Sequence, residues 1–253
     1  MIIINTMFLN EKHILDLRLK EELPYVDEFH IVESDNAFSG RTKPIFLNQT
    51  RLPAKVFHHL ITLPPAMSAW DKEYHQRNLI TSLRPLADDD VIISCDMDEV
   101  LRGEGIPHIV EHARQKGYVG IKMKHHYYKI NNFSREGESI CKSVAVTGKY
   151  LRESGRTLEQ LRSEERKDNW IECGHHFDYL ATPEDISWKL TCFAHTEYSG
   201  LPYIDVDFIK ERIELGEDLF QRLPGKYWLP GEVDGTYPQE ILDNMEDWKE
   251  WLA

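Results

Sequence analysis

Apolar residues along the chain fall into two patterns, short β-branched runs and longer stretches at helical spacing. Ile2 to Asn5 is a β-branched run and predicts the first strand. From Glu11 to Leu23, the residues Ile14, Leu15, Leu17, Leu19 and Leu23 recur near the helical period, and Pro24 helps end that helix. Phe29 to Val32 predicts a second strand. The stretch from Glu33 to Pro44, with its Ser, Asp, Asn, Gly and Pro, predicts a loop. Lys55 to Thr62 predicts a third strand, closed by Pro64 and Pro65. Trp70 to Leu83 reads as a helix, with Ser68 placed to cap it. Val91 to Cys95 is the clearest strand, an apolar run without alternation, as expected of a strand buried on both faces. It follows Asp88-Asp89-Asp90 and runs directly into Asp96-Met97-Asp98-Glu99.

Beyond that point Pro107 to Lys116 predicts a helix and Tyr118 to Ile130 is strand-rich. Tyr150 to Asn169 is a charged surface excursion, partly helical, with Leu151, Leu158 and Leu161 as its apolar anchors. Trp188 to His195 predicts a late strand, Asp205 to Arg222 a helix, and an acidic, aromatic tail closes the chain. There is no internal repeat. Strands alternating with helices imply an α/β fold with a mostly parallel central sheet flanked by helices. In such sheets ligands bind beyond the carboxyl ends of the strands, and Asp96 to Glu99 sits at such an end.

The length, 253 residues, suits a single domain over 1–253. The formal charge is -13, from 43 acidic against 30 basic side chains, and the basic residues are scattered. Nucleic acid is therefore not an expected partner. An anionic nucleotide would need a cation or a local basic pocket. No apolar stretch has transmembrane length, and Met1 to Ile4 lacks the basic flank and cleavage site of a signal peptide, so a cytoplasmic location is expected. Cys95, Cys141, Cys173 and Cys192 form no CxxC pair and are expected as free thiols.

Three carboxylates within four residues at a strand end concentrate negative charge that a divalent cation would offset. Mg2+ and Mn2+ take carboxylate oxygens and leave positions for substrate phosphates. Asp96 and Asp98, two apart in extended chain, share a face. The competing reading is a solvated acidic turn. A haloacid-dehalogenase-type phosphatase also places Asp-x-Asp after a strand, but it continues with Thr and uses the first strand, whereas Val100 and Leu101 follow here.

Other segments make the pattern specific. Met7-Phe8-Leu9-Asn10-Glu11 through Asp16-Leu17-Arg18-Leu19, Val26-Asp27-Glu28-Phe29, Ile31-Val32-Glu33-Ser34 and Phe38-Ser39-Gly40-Arg41-Thr42-Lys43-Pro44 occur in order. Trp70 to Arg77, Asp89 to Ile93 with Asp96 to Glu99, Gly174-His175-His176, Thr182 to Ile186 with Trp188-Lys189-Leu190, and Phe193 to Tyr198 follow. This series resembles the family-17 glycosyltransferases, typified by the enzyme that adds the bisecting N-acetylglucosamine to N-glycans, and it spans roughly residues 3 to 200. Two positions depart: His175 stands where the family has Trp, and Val100 where Ile-Pro is common.

The resemblance implies a GT-A-like single domain, a nucleotide-sugar donor such as a UDP-sugar, Mn2+ or Mg2+, and inversion at the sugar carbon. About residues 1–100 would form the nucleotide-sugar half and about 101–253 the acceptor half with the C-terminal helices. The membrane anchor of Golgi members is missing, so a microbial or viral cytosolic role is expected over N-glycan bisecting.

Asp96, Asp98 and His176 are the candidate metal ligands, with His176 at the family's His, and His195 a second imidazole for that role. Glu33, Ser34, Arg77, Asp96 and Lys189 are candidates for binding the nucleotide sugar, Arg77 by pairing a phosphate. Arg18 belongs either to that pocket or to the frame. An inverting transfer needs a carboxylate base at the acceptor hydroxyl. Asp178 is the first choice, with Glu197 and Glu184 behind it. Tyr127, Tyr128 and Trp170 could stack on a sugar, though each is equally at home in a core or rim. The expected activity is transfer, possible for N-acetylglucosamine, to a glycan or other hydroxyl acceptor. The alternatives are a non-catalytic nucleotide-sugar or glycan-binding module, a metal-dependent phosphohydrolase, and an enzyme that glycosylates modified DNA bases.

Overall fold

The computed structural model describes residues 1–47, 51–134, 139–164, 169–223 and 225–253. The N-terminal part runs β1 (Ile2–Phe8), α1 (Lys12–Glu22), β2 (Glu28–Ser34), β3 (Val56–Ile61), α2 (Ala69–Asn78), α3 (Ile80–Leu83) and β4 (Val91–Ser94). After it come β5 (Glu99–Val100), α4 (Ile106–Lys116), β6 (Tyr118–Tyr127), β7 (Asn132–Ser134), β8 (Ser139–Thr147), α5 (Gly148–Ser154) and α6 (Leu158–Ser163). The chain closes with β9 (Trp170–Asp178), α7 (Pro183–Cys192), α8 (Val206–Leu215), β10 (Trp228–Pro230) and α9 (Gln239–Asp243).

Among the described residues ten strands form one sheet in the order β10-β7-β6-β8-β4-β1-β2-β3, with β9 beside β6 and β5 beside β9. The first four strands pair in parallel. The sequence predicted a mostly parallel central sheet, and the parallel pairing is found in that block and between β6 and β9. The pairs β4–β8, β6–β8, β6–β7, β7–β10 and β5–β9 are antiparallel. For β6 with β7 the physical reason is connection length: a parallel return needs a crossover of a dozen residues or more, and the link between them is too short for one.

The α/β class holds, with the helices packed around this curled sheet. All four residues of β4 are buried, as its unbroken apolar run predicted. In α4, Ile106, Ile109, Val110 and Ala113 recur at helical spacing and turn one buried face to the sheet. The predicted first helix is α1, which buries Ile14, Leu15 and Leu17. Cys95, Cys173 and Cys192 are free thiols. Among the described residues no helix is long and apolar enough to cross a membrane.

Three expectations are corrected. Trp188 to His195 is not a strand: Trp188 to Cys192 form the second half of α7. Thr182 caps that helix by accepting from Asp185 N–H, Pro183 stands in its first turn, and Ile186 and Leu190 bury one face. A capped start therefore outweighs the apolar run. The helix expected to Arg222 ends at Leu215, where Gly216 turns left-handed at φ 63. The strand-rich stretch to Ile130 is broken by Tyr128, at φ 67. Within the charged excursion lie α5 and α6, and residues 165–168 of it are outside the described residues.

Candidate active site

β4 delivers the chain into the loop Asp96-Met97-Asp98, which β5 then anchors. The loop is pinned at its base: Asp96 N–H donates to Glu99 Oε2 at 2.6 Å, and Glu99 N–H to the Asp96 carbonyl at 3.1 Å. The Glu99 carboxylate is itself buried and accepts from Ser143 Oγ and Arg162 Nη1, each at 2.8 Å. Glu99 is thus an internal strut.

The two aspartates of the loop have different company. Asp96 accepts from Arg162 Nη2 at 2.7 Å and from Arg77 Nη2 at 3.1 Å. Both guanidinium groups are buried, and Arg77 also pairs with Glu73 and Glu159. Burial opposes charge on Asp96, but Arg162 and Arg77 outweigh it and hold the carboxyl below its ordinary range. Asp98 lies 3.3 Å from Lys189 Nζ and 3.5 Å from His176 Nε2. Burial works against its charge too, yet Lys189 and His176 keep it well below the usual carboxylate range. Burial would discharge His176, but the hydrogen bond and charge of Asp98 raise its pKa to about 9. Lys189 is held charged against burial by Glu11, 3.1 Å away, and by Asp98.

His176 reaches Asp98 through strand pairing. β9 lies antiparallel to β5, with Glu99 opposite His176, and Phe177 N–H donates to the Asp98 carbonyl at 2.8 Å. The approach is so close that a Cβ on Gly174 would meet the Val100 carbonyl at 2.2 Å, and Gly174 itself has φ +101. Alternation along β9 puts His176 and Asp178 on one face and His175 on the other. One ligand atom each from Asp98, His176 and Asp178 lies within 4.8 Å of the other two. His176 Nδ1 is buried without a hydrogen-bond partner.

These groups line a cavity of about 280 Å³ at the carboxyl ends of the parallel strands. Of the residues singled out from sequence, Ser34, Arg77, Asp96, Asp98, His176, Asp178, Lys189 and His195 line it. The others do not. Glu33 is fully buried and binds Lys43 Nζ at 3.3 Å and Phe46 N–H at 2.7 Å, which pins the following loop. Glu197 is exposed and pairs with His195 at 2.7 Å, and Glu184 opens α7 facing Lys210. Arg18 is buried under the loop, bonded to Glu22 at 3.0 Å and to the Asp96 carbonyl at 2.9 Å. Tyr127 and Tyr128 belong to a buried aromatic cluster, and Trp170 stands exposed beneath Lys122. His175 is buried on the far face, 2.7 Å from His126 and 3.0 Å from the Thr236 carbonyl.

Sequence reasoning did not single out Arg162, Glu73, Trp70 or His125. Arg162 had a local signal, since Thr157 and Gln160 form the capping box that starts α6. Trp70 stands at the cavity wall with its ring edge-on to His195 at 4.4 Å.

Residues 2–234 match the model of glycosyltransferase family 17. No curated protein sequence matches the chain. Among solved structures, 4-diphosphocytidyl-2C-methyl-D-erythritol synthase is 16% identical at a TM-score of 0.44, covering 73% of this chain and 94% of its own. S. aureus TarS 1-349 is 14% identical at a TM-score of 0.44, covering 82% of this chain and 68% of its own. Likeness of that degree does not extend to activity.

Proposed function

The chain belongs to glycosyltransferase family 17 and is a glycosyltransferase, and from that premise we propose a metal-dependent, inverting transfer from a nucleotide-sugar donor to a hydroxyl acceptor. The donor is a UDP-sugar, with N-acetylglucosamine the first sugar to test, and the acceptor is a glycan or another hydroxyl compound. The observation that carries this reading is the convergence of Asp98, His176 and Asp178 at the cavity, with Lys189 beside them.

Two carboxylates and an imidazole are a donor set suited to Mn2+, and Mg2+ fits the oxygen-rich part of it. The unpartnered Nδ1 of His176 leaves that ring held by Asp98 alone, so it could turn its Nε2 to a cation that displaces the proton Asp98 holds there. Bound there, the cation would stabilise charge on the leaving nucleoside diphosphate. Lys189 adds fixed positive charge at the same spot. Arg77 and Arg162 hold Asp96 and with it the shape of the loop. Asp178, the first choice for the base from sequence, joins the cation-holding group in this reading. Glu197 and Glu184 stand outside the cavity, away from an acceptor hydroxyl bound there. In this reading the half about 1–100 supplies Asp98 and the half about 101–253 supplies His176, Asp178 and Lys189, so both would act on the donor diphosphate.

The test is a thermal-shift panel of nucleotide sugars with and without Mn2+, on the wild type and on Asp98→Asn. The true donor with Mn2+ should raise the melting temperature of the wild type by mass action. Asp98→Asn should lose that shift, and its transfer rate should fall at least about a hundredfold. Full transfer activity in Asp98→Asn with metal present would sink the proposal.

A further inference from the structure

His125 is a buried imidazole with a single polar contact, and that contact is to the cation-holding group. It lies on β6, directly beside His176 in the parallel pairing with β9, and Tyr127 two residues on is beside Asp178. Alternation along β6 turns His125 to the cavity side, while His126 faces away to His175. His125 Nε2 lies 3.4 Å from Asp178 Oδ2. That is long for a hydrogen bond, so its weight rests on what surrounds the ring.

The ring is boxed in. The edge-on rings of Trp228 and Tyr127 stand 5.8 and 6.0 Å from it, and His176 lies 5.5 Å away. His125 Nδ1 is buried and has no partner. A carboxylate only accepts when ionised, so the proton of His125 belongs on Nε2 and Nδ1 is left as a bare acceptor. In an aromatic box a phenyl ring would pack as well without that cost. What the imidazole offers and a phenyl ring lacks is the N–H directed at Asp178.

Resting on the reading that Asp98, His176 and Asp178 hold a cation, we propose that His125 is a positioning residue that aims the Asp178 carboxylate at that cation through its Nε2–H. Carboxylates that ligate metals are commonly fixed by such outer hydrogen bonds, and losing one costs about 10- to 100-fold in metal affinity.

The experiment measures Mn2+ affinity of the full chain by calorimetry, with the free Mn2+ signal in electron paramagnetic resonance as a second readout. His125→Phe keeps the packing and removes the N–H, and it should weaken Mn2+ binding about tenfold or more. His125→Gln restores an N–H at a similar reach and should stay within about threefold of the wild type. In an Asp178→Asn background, His125→Phe should have no further effect, because the coupling runs through that carboxylate. Far-UV circular dichroism and melting curves confirm that each variant is folded, and His125→Leu replaces Phe if the phenyl ring is not accommodated. Equal Mn2+ affinity in the apolar variant and the wild type overturns the inference. So does a loss in His125→Gln as large as in His125→Phe, which would make the ring itself a ligand. A wild type that binds no Mn2+ overturns instead the cation site on which the inference rests.

Discussion

Asp96 and Asp98 are two residues apart in one motif, and the chain uses them differently. Asp96 is gripped by Arg77 and Arg162, whereas Asp98 shares its charge with Lys189 and His176 at the cavity. Removing one partner from a buried ion cluster strands the others without compensation. Asp96→Asn should therefore lower stability by about 2 kcal/mol, seen as a melting point several degrees lower. Asp98→Asn strands Lys189 and His176 in the same way, so it should lower the melting point as well as lose transfer. Urea unfolding of the two variants side by side checks both losses of stability. The acidic motif was legible because its residues are neighbours in sequence. Its division of labour was not, because Arg162 arrives from α6 and Lys189 from α7.

A pH dependence follows from two imidazoles on the far face of the sheet, His175 of β9 and His126 of β6. Burial pushes His175 down to about 4 from an ordinary 6.5, and burial lowers His126 well below 6.5 as well. Between those two pH values the unfolded chain takes up a proton at His175 that the folded chain refuses. The contribution is whole above pH 6.5 and is lost as the pH falls toward 4. For His175 alone it amounts to about 3 kcal/mol. Denaturant titrations stepped down through that window should show the loss, and His175→Gln should show a shallower one.

At the scale of elements, β9 is among the strands that sequence patterning missed, with β5, β7, β8 and β10. Trp170 to Asp178 carries a glycine and alternates polar residues on both faces, so it has no apolar signature. Its pairing is dictated by partners on β5 and β6 that lie far away in sequence. By contrast β4 and α4 were legible because each buries residues at its own period. Gly174 is where β9 depends on a single atom. Gly174→Ala would drive a Cβ against the Val100 carbonyl in a backbone conformation that L residues avoid. The variant should lose about 2 kcal/mol or more of stability. Its Mn2+ affinity, measured by calorimetry, should fall with it, since His176 and Asp178 follow on the same strand.

Across the whole molecule, the parallel block was readable from alternating strands and helices, and the location of the cavity followed from the block's carboxyl ends. The mixed half was not readable, because its order depends on which distant edges meet. The chain carries a net charge of -13, yet Lys43, Arg77, His176 and Lys189 all stand at this cavity. Against them stand Glu11, Glu73, Asp96, Asp98 and Asp178 in the same lining, an excess of carboxylates that a bound cation would offset before an anionic ligand could enter.

The hydrogen bond from Phe177 N–H to the Asp98 carbonyl joins stretches that leave the ribosome at different times. While the chain is being made, the acidic loop emerges first and has neither its imidazole nor its second carboxylate partner. A nascent chain halted before β9 would hold the motif without the grip, so the proposed cation site would be complete only after most of the protein has been translated.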